Sequence, residues 1–203
     1  RVMSPIQGLM GLYSNLATAR ASLVRVHELL DTPPEVTELP ESVSLPECEG
    51  ALTLEGVRFG FGRGGEVLAG VDLEIPAGQV VAVVGASGSG KSTIADLLSR
   101  QLDPAEGRVL LDGHDLRSVT LQDVRQHITV VEHAPFIFHA TVGENVRYAR
   151  PDATAAEIDE AIAAAGLAGL IASMPEGTET VVGERGSQLS AGERQRLAIA
   201  RAF

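Results

Sequence analysis

Apolar positions change their spacing several times along the 203 residues, and each change predicts a different element. Between residues 9 and 30, Leu9, Leu16, Leu23 and Leu30 stand seven apart, with Leu12, Ala19 and Val26 at the other heptad position. That spacing predicts one helix with a single apolar stripe, a surface for packing on other helices rather than a ligand site. From Asp31 to Gly50 the periodicity stops, and prolines and acidic residues predict an extended linker over 31–49 with a domain boundary near residue 50.

Beyond the boundary, Leu52 to Phe59 and Val67 to Ile75 read as strands, the second alternating at Val71, Leu73 and Ile75, joined by a glycine-rich turn. They predict a small antiparallel unit. The run Val80 to Val84 is uniformly apolar and mostly β-branched, as expected of a strand buried on both faces, and the helix-forming stretch Thr93 to Leu102 follows after a glycine loop. Val109, Leu110 and Leu111 read as a strand that Asp112 and Gly113 end in a turn. Thr154 with Glu157, and Ser190 with Glu193, have the spacing of capping boxes ahead of apolar-periodic runs, so helices occupy much of 141–202, the alanine-rich stretch 153–165 among them.

Charge and composition narrow the chemistry. A net charge of −11 opposes binding to nucleic acid or to an anionic membrane surface. Cys48 is the only cysteine, which excludes an internal disulfide and a CxxC metal pair and fits a reducing compartment. The chain opens on Arg1, has no run of eighteen apolar residues, and ends at Phe203 inside a helical pattern without a stop signal, so it is expected to be a segment of a longer polypeptide. Of sixteen basic residues only Lys91 is lysine. A compact ammonium between phosphate oxygens does what a wider guanidinium does badly.

Lys91 lies in the string GASGSGKST, formed by Gly85, Ala86, Ser87, Gly88, Ser89, Gly90, Lys91, Ser92 and Thr93. It satisfies the phosphate-loop pattern between a predicted strand and a predicted helix. The glycines let backbone N–H groups turn onto phosphate oxygens, the helix start aims its positive dipole end at them, Lys91 bridges the outer phosphates, and Ser92 ligates magnesium. The second string, LSAGERQRLAIARA at 189–202, carries the Ser190 capping box. Capping alone does not demand the small pair Ala191 and Gly192; small residues at a helix start let an anion approach its free N–H donors.

Together the two strings resemble the ATP-binding-cassette (ABC) family, LSAGERQR being similar to its signature sequence. VVEHAPFIFHATVGENVRYA at 130–149 resembles that family's glutamine loop and the following segment, VVGERG at 181–186 the loop that exporter-type members set against their membrane domain, and Phe61 the aromatic position that stacks on adenine. The resemblance implies an α/β fold: a P-loop NTPase core of ABC type with a small antiparallel β subdomain and a helical subdomain at about 134–200, within a partial nucleotide-binding domain spanning 50–203. The N-terminal helix, 1–30, corresponds to the cytoplasmic end of a membrane domain. ATP and Mg2+ are the implied ligands. The implied partners are the transporter's own transmembrane domain and a second nucleotide-binding domain, identical or not, docked head to tail so that Ser190, Ala191 and Gly192 of one copy face the nucleotide on the other. Hydrolysis at the cytoplasmic face of the membrane would drive transport.

Three departures qualify the resemblance. His133 stands where the family's glutamine contacts magnesium and the attacking water; neutral imidazole can do part of this, imidazolium repels the metal, and the neighbouring Glu132 is a substitute. Ala191 and Glu193 stand for the commoner glycine and glutamine, and a carboxylate facing the γ-phosphate is repulsive, so Glu193 is expected to turn back and cap its own helix. The strand that the resemblance implies should carry the magnesium aspartate and the catalytic glutamate is expected to follow Phe203, and Asp112 does not replace it. Residues 1–203 alone are therefore expected to be inactive, with Val80 to Val84 and Ile128 to Val131 lacking a neighbouring strand. The competing readings are a nucleotide-binding regulatory module that does not hydrolyse and a soluble ABC ATPase acting on nucleic acid.

Overall fold

The computed structural model describes the backbone of residues 3–203 and their side chains apart from those of 3–9, Ser14, Ala17 and Arg63. The side chain of Leu9, first in the heptad stripe, thus lies outside the described residues. The chain divides into two compact units, Arg1–Glu38 and Leu39–Phe203.

The first unit is built on one helix, α1 (Met3–Leu30). Its predicted stripe exists, but Leu12, Leu16, Leu23, Val26 and Leu30 are all exposed. A helix buries such a stripe only against another element. Among the described residues, no helix is long and apolar enough to cross a membrane.

In the second unit, β1 (Leu52–Gly60) and β2 (Glu66–Ile75) form the predicted antiparallel hairpin, with Leu52 opposite Ile75 and Leu54 opposite Leu73. After the helix α2 (Lys91–Leu98), β3 (Glu106–Leu111) adds to the other edge of β1, and the two-residue β4 (His114–Asp115) completes a sheet of order β2-β1-β3-β4. The alternating apolar positions of these strands point to one face. Leu54, Val57, Leu68, Val109 and Leu111 are buried there with Leu97 of α2, each such side chain contributing about 1.5 to 3 kcal/mol on burial. The register slips between Leu54 and Val57, where Gly56 has φ 55° and its N–H donates to Asp72 Oδ1 at 2.6 Å.

Leu39–Glu49, expected as part of an extended linker, is extended but tied to this unit. Val43 N–H donates to Ser118 O, and Leu45 is buried with its N–H on Asp123 Oδ2 at 2.9 Å and its carbonyl 2.6 Å from His127 Nε2 on α3 (Leu121–His127). Asp112 has φ 48° and Gly113 φ 80°, the left-handed pair of a tight β3–β4 turn. Its carboxylate accepts from the N–H groups of Glu49, Gly50 and Ala51 at 2.7, 3.2 and 2.8 Å. Desolvation pushes its pKa up, but the Cys48 side chain and these three donors outweigh that and hold it at about 2. Asp112 is thus a strand-ending structural anion, as its sequence context implied.

A second core belongs to the helices α4 (Val142–Arg147), α5 (Ala155–Ala164), α6 (Ala168–Ser173) and α7 (Ala191–Ala200), where Val142, Ile158, Ile162, Ile171 and Leu197 meet. The capping boxes at Thr154/Glu157 and Ser190/Glu193 both form, and Thr141/Glu144 makes a third at the start of α4 that the same spacing rule would have found.

Two expectations about strands meet the structure differently. Val80 to Val84 is not a strand buried on both faces: it has no regular structure, and Val84 is 87% exposed. Ile128 to Val131 is likewise unpaired, with Val130 and Val131 exposed. A β-branched run becomes a strand only when another strand takes its N–H and C=O groups. Among the described residues none does, which agrees with the expectation that both segments lack a neighbour.

Candidate functional site

The glycine loop ends on α2, and the hairpin determines its path. Gly90 caps the helix with φ 87°, and a Cβ there would stand 2.7 Å from Leu68 Cδ2 and 3.4 Å from Val67 Cγ1 of β2. Only glycine fits. At Gly85 a Cβ would stand 2.7 Å from Ser89 Oγ, and Gly88 has φ 80°. Inside the loop Ser89 N–H bonds Ala86 O at 3.3 Å. The N–H groups of Ser87, Gly88, Gly90, Lys91, Ser92 and Thr93 form no hydrogen bond among the described residues, which leaves a cluster of donors at a positive helix end. Lys91 folds back, its Nζ donating to Gly85 O at 3.1 Å and Ala86 O at 2.7 Å. Neutral carbonyls hold the ammonium where phosphate oxygens, with full charge, would hold it more strongly.

The other end of α2 is anchored. Leu97 is buried in the sheet core, and the helix stops at Leu98, two residues before Arg100 turns left-handed at φ 51°. The buried Arg100 side chain donates to Val119 O at 2.7 Å and lies 3.5 Å from Asp103. Anchoring α2 in this way keeps the N–H donors of its first turn aimed, with less entropy left to lose on binding.

Phe61 follows β1 and is 54% exposed, its ring edge-on to Phe59 with centroids 4.9 Å apart. The same hairpin that presses Val67 and Leu68 on Gly90 therefore carries an accessible aromatic face. Glu132 and His133 lie in the unpaired stretch after Ile128, both exposed, and neither makes a hydrogen bond or ion pair among the described residues. Ser92 is exposed in the first turn of α2, its hydroxyl without a hydrogen bond among the described residues.

Ser190, Ala191 and Gly192 open α7. Ser190 Oγ accepts from Glu193 N–H at 3.3 Å, while Glu193 Oε2 accepts from Ser190 N–H at 2.7 Å. The Ser190 backbone N–H holds the Glu193 carboxyl below its ordinary pKa. The expectation that Glu193 caps its own helix is met, its carboxylate taking up the Ser190 N–H. The N–H groups of Ala191 and Gly192 are left without an acceptor among the described residues, on an exposed and uncrowded helix start. Among the described residues, no hydrogen bond or ion pair joins this helix end to the glycine loop; the two helices pack in different cores of the unit.

Sequence reasoning missed the residues that fix the stretch after His133. Val182 N–H bonds Ala140 O, Val142 N–H bonds Thr180 O, and Gly186 of the VVGERG loop packs where a Cβ would stand 3.1 Å from Ile137. Buried Asn145 and the arginine that closes α7, Arg201, complete the arrangement, and no local pattern announces a pair 56 residues apart.

Comparison with known proteins agrees with this geometry. The profile of the ABC transporter family matches residues 68–203. The chain is 41% identical over 201 residues to an ATM1-type heavy metal exporter of Novosphingobium aromaticivorans, covering 99% of this chain and 33% of that protein. It is also 41% identical over 200 residues to an ATP-dependent lipid A-core flippase of Chromohalobacter salexigens, covering 98% of this chain and 34% of that one. Among solved structures, a bacterial Atm1-family ABC exporter with ATP bound superposes with a TM-score of 0.85 at 42% identity, over 93% of this chain and 33% of the exporter. The chain thus spans about a third of the length of these relatives. A glycine loop seated on α2, a second donor-bearing helix start at Ser190, and a family match over two-thirds of the sequence lead to one assignment: the chain belongs to the ABC transporter family.

Proposed function

We propose that this chain is the ATP-binding, energy-coupling part of an exporter-type membrane transporter, with α1 the cytoplasmic end of its membrane domain. The observation that carries the reading is the pair of unsatisfied helix starts. One, at Gly85 to Thr93, holds the chain's only lysine; the other, at Ser190 to Gly192, leaves the N–H groups of Ala191 and Gly192 without an acceptor among the described residues, while Glu193 is engaged by the Ser190 N–H. Two donor clusters that do not meet within one copy are what a nucleotide shared between two copies requires. ATP is bound by the glycine loop of one copy and capped by Ser190, Ala191 and Gly192 of the facing copy, whose N–H groups and hydroxyl meet charge that develops on the γ-phosphate. The relatives, described as an exporter and a flippase, support a transporter at the cytoplasmic face of the cell membrane.

Among the described residues no group of three His, Cys, Asp or Glu side chains could hold a metal ion. The hydroxyl of Ser92 would be one ligand to a magnesium ion bound with the nucleotide, with His133 a further candidate, and such an ion would neutralise phosphate charge. The chain's own contribution is then orientation: the loop N–H groups and Lys91 fix the phosphates, and Glu132 or His133 approaches the attacking water.

Phe61 stacks on adenine in this reading. Phe61→Ala is expected to weaken MgATP by about 1 to 2 kcal/mol while Phe61→Tyr is tolerated. Thermal melting with and without nucleotide checks it. An equal loss of melting temperature in both would make Phe61 a structural aromatic only.

Ser190→Arg tests the arrangement of copies. It is expected to leave ATP affinity of a single copy intact and to abolish the ATP-dependent dimer, measured by light scattering alongside nucleotide titration. Loss of single-copy affinity as large as that of Lys91→Ala would place Ser190 in the same-copy site and overturn the head-to-tail arrangement.

A further inference from the structure

The stretch Phe136–Ala140 begins three residues after His133 and has no helix or strand of its own, yet its path is fixed by two side chains from elsewhere. Asn145 is wholly buried on α4 and uses every polar atom of its amide. Its Oδ1 accepts from Phe138 N–H at 3.0 Å, and its Nδ2 donates to Phe138 O at 3.1 Å and Thr141 O at 2.9 Å. Arg201, the C-cap of α7, donates to Phe136 O at 2.6 Å, to Asn145 O at 3.0 Å and to Asn145 Oδ1 at 2.5 Å, and its guanidinium stands 5.4 Å from the centre of the Phe138 ring. A guanidinium only donates, so it also dictates which amide atom of Asn145 faces it.

Arg201 forms no ion pair among the described residues. Its partners are carbonyls and a ring, and desolvation lowers its pKa. A partly buried cation without an anion is a poor way to gain stability, since an apolar side chain of similar size would pack there without a desolvation cost. What the guanidinium supplies is directed: three hydrogen bonds in a fixed fork reaching two elements at once. The helix it terminates begins at Ser190, and its ten residues span about 15 Å, so one rigid rod carries Ser190–Gly192 at one end and this clamp at the other.

We propose that Arg201, acting with Asn145, is a positioning residue that locks the segment following Glu132 and His133 to the helix presenting Ser190–Gly192, so that the two shift as one body when nucleotide is bound. This rests on the shared-nucleotide reading given above. Without the clamp each copy still binds ATP through Gly85–Thr93, which Arg201 does not touch, but closure at Ser190 no longer carries Glu132 and His133 into place.

The test uses the complete transporter polypeptide, with hydrolysis expressed per MgATP-binding site so that unfolded protein drops out of the comparison. Arg201→Gln and Asn145→Ala are each expected to keep MgATP affinity within about twofold while kcat falls about tenfold or more, and the double variant to fall no further than the worse single one. Arg201→Lys, which keeps the charge and loses the fork, is expected to recover only part of kcat. Should Arg201→Gln fail to fold by circular dichroism, Arg201→Lys and Asn145→Ala carry the same comparison. Wild-type kcat per site in these variants, or losses that multiply in the double variant, overturns the clamp. Lys91→Ala run in parallel separates the two ideas, because retained nucleotide affinity there refutes the nucleotide reading itself and not the Arg201 geometry.

Discussion

Lys91→Ala should reduce MgATP affinity by about a hundredfold or more while leaving the fold intact. Charge-assisted hydrogen bonds to phosphate contribute about 1.5 to 3 kcal/mol each, and in the proposed site the ammonium would supply them to the outer phosphates. Its present partners, the carbonyls of Gly85 and Ala86, are exposed and return to water when the side chain is removed, so no buried group is orphaned. Lys91→Arg should rescue little, since the planar guanidinium is too wide for a site with carbonyls at 2.7 and 3.1 Å from a single nitrogen. Isothermal titration with MgATP, with circular dichroism alongside, decides the matter. Native dichroism with undiminished affinity would remove the phosphate-loop assignment.

The largest effect on stability is expected at Gly107, at the start of β3. It has φ 84°, and a Cβ there would run into the backbone carbonyls of Glu55 and Gly56, the latter at 2.6 Å. Neither is a flexible side chain that can step aside. Gly107→Ala must therefore adopt a left-handed conformation and also push away the irregular turn of β1 at Glu55 and Gly56, where the register slips. We expect a loss of about 2 to 4 kcal/mol, from about 1 kcal/mol of backbone strain and the rest from displaced β1–β3 pairing. Chemical denaturation of the two proteins measures it. Gly113→Ala serves as the comparison: its φ is also positive, at 80°, but a Cβ there meets nothing within 4 Å, so it should lose only the strain component. Equal losses at the two positions would show that strain alone, and not the close approach to β1, makes Gly107 indispensable.

The legible and illegible parts of the chain divide along a physical line. The hairpin β1–β2, the turn at Asp112 and Gly113, and the helix starts at Thr154 and Ser190 were readable because each is decided within a few residues, by alternation, by left-handed backbone preference, or by a hydroxyl and a carboxylate three positions apart. Glu193 was readable for the same reason: its nearest competitor for attention is its own helix end. Val80 to Val84 was misread as a buried strand because strand formation is not local. The residue types favour it, but its hydrogen bonds must be supplied by another strand.

By itself, then, the sequence determined that the chain has a glycine loop ahead of a helix, a capping box at Ser190 that opens another, and an antiparallel unit, since each depends on backbone preferences and side-chain chemistry acting over one or two turns. Tertiary structure alone decided what presses on what. Leu68 and Val67 reach Gly90 and so forbid any side chain there, Asp112 gathers the N–H groups of Glu49, Gly50 and Ala51, and Arg201 closes on Phe136 and Asn145. These contacts join residues separated by about twenty to sixty-five positions, and no pattern of neighbouring residues encodes them. They exist because two apolar cores must each exclude water, and packing those cores brings distant backbone groups together, where only glycine, a carboxylate or a guanidinium can satisfy the space and hydrogen bonds that result.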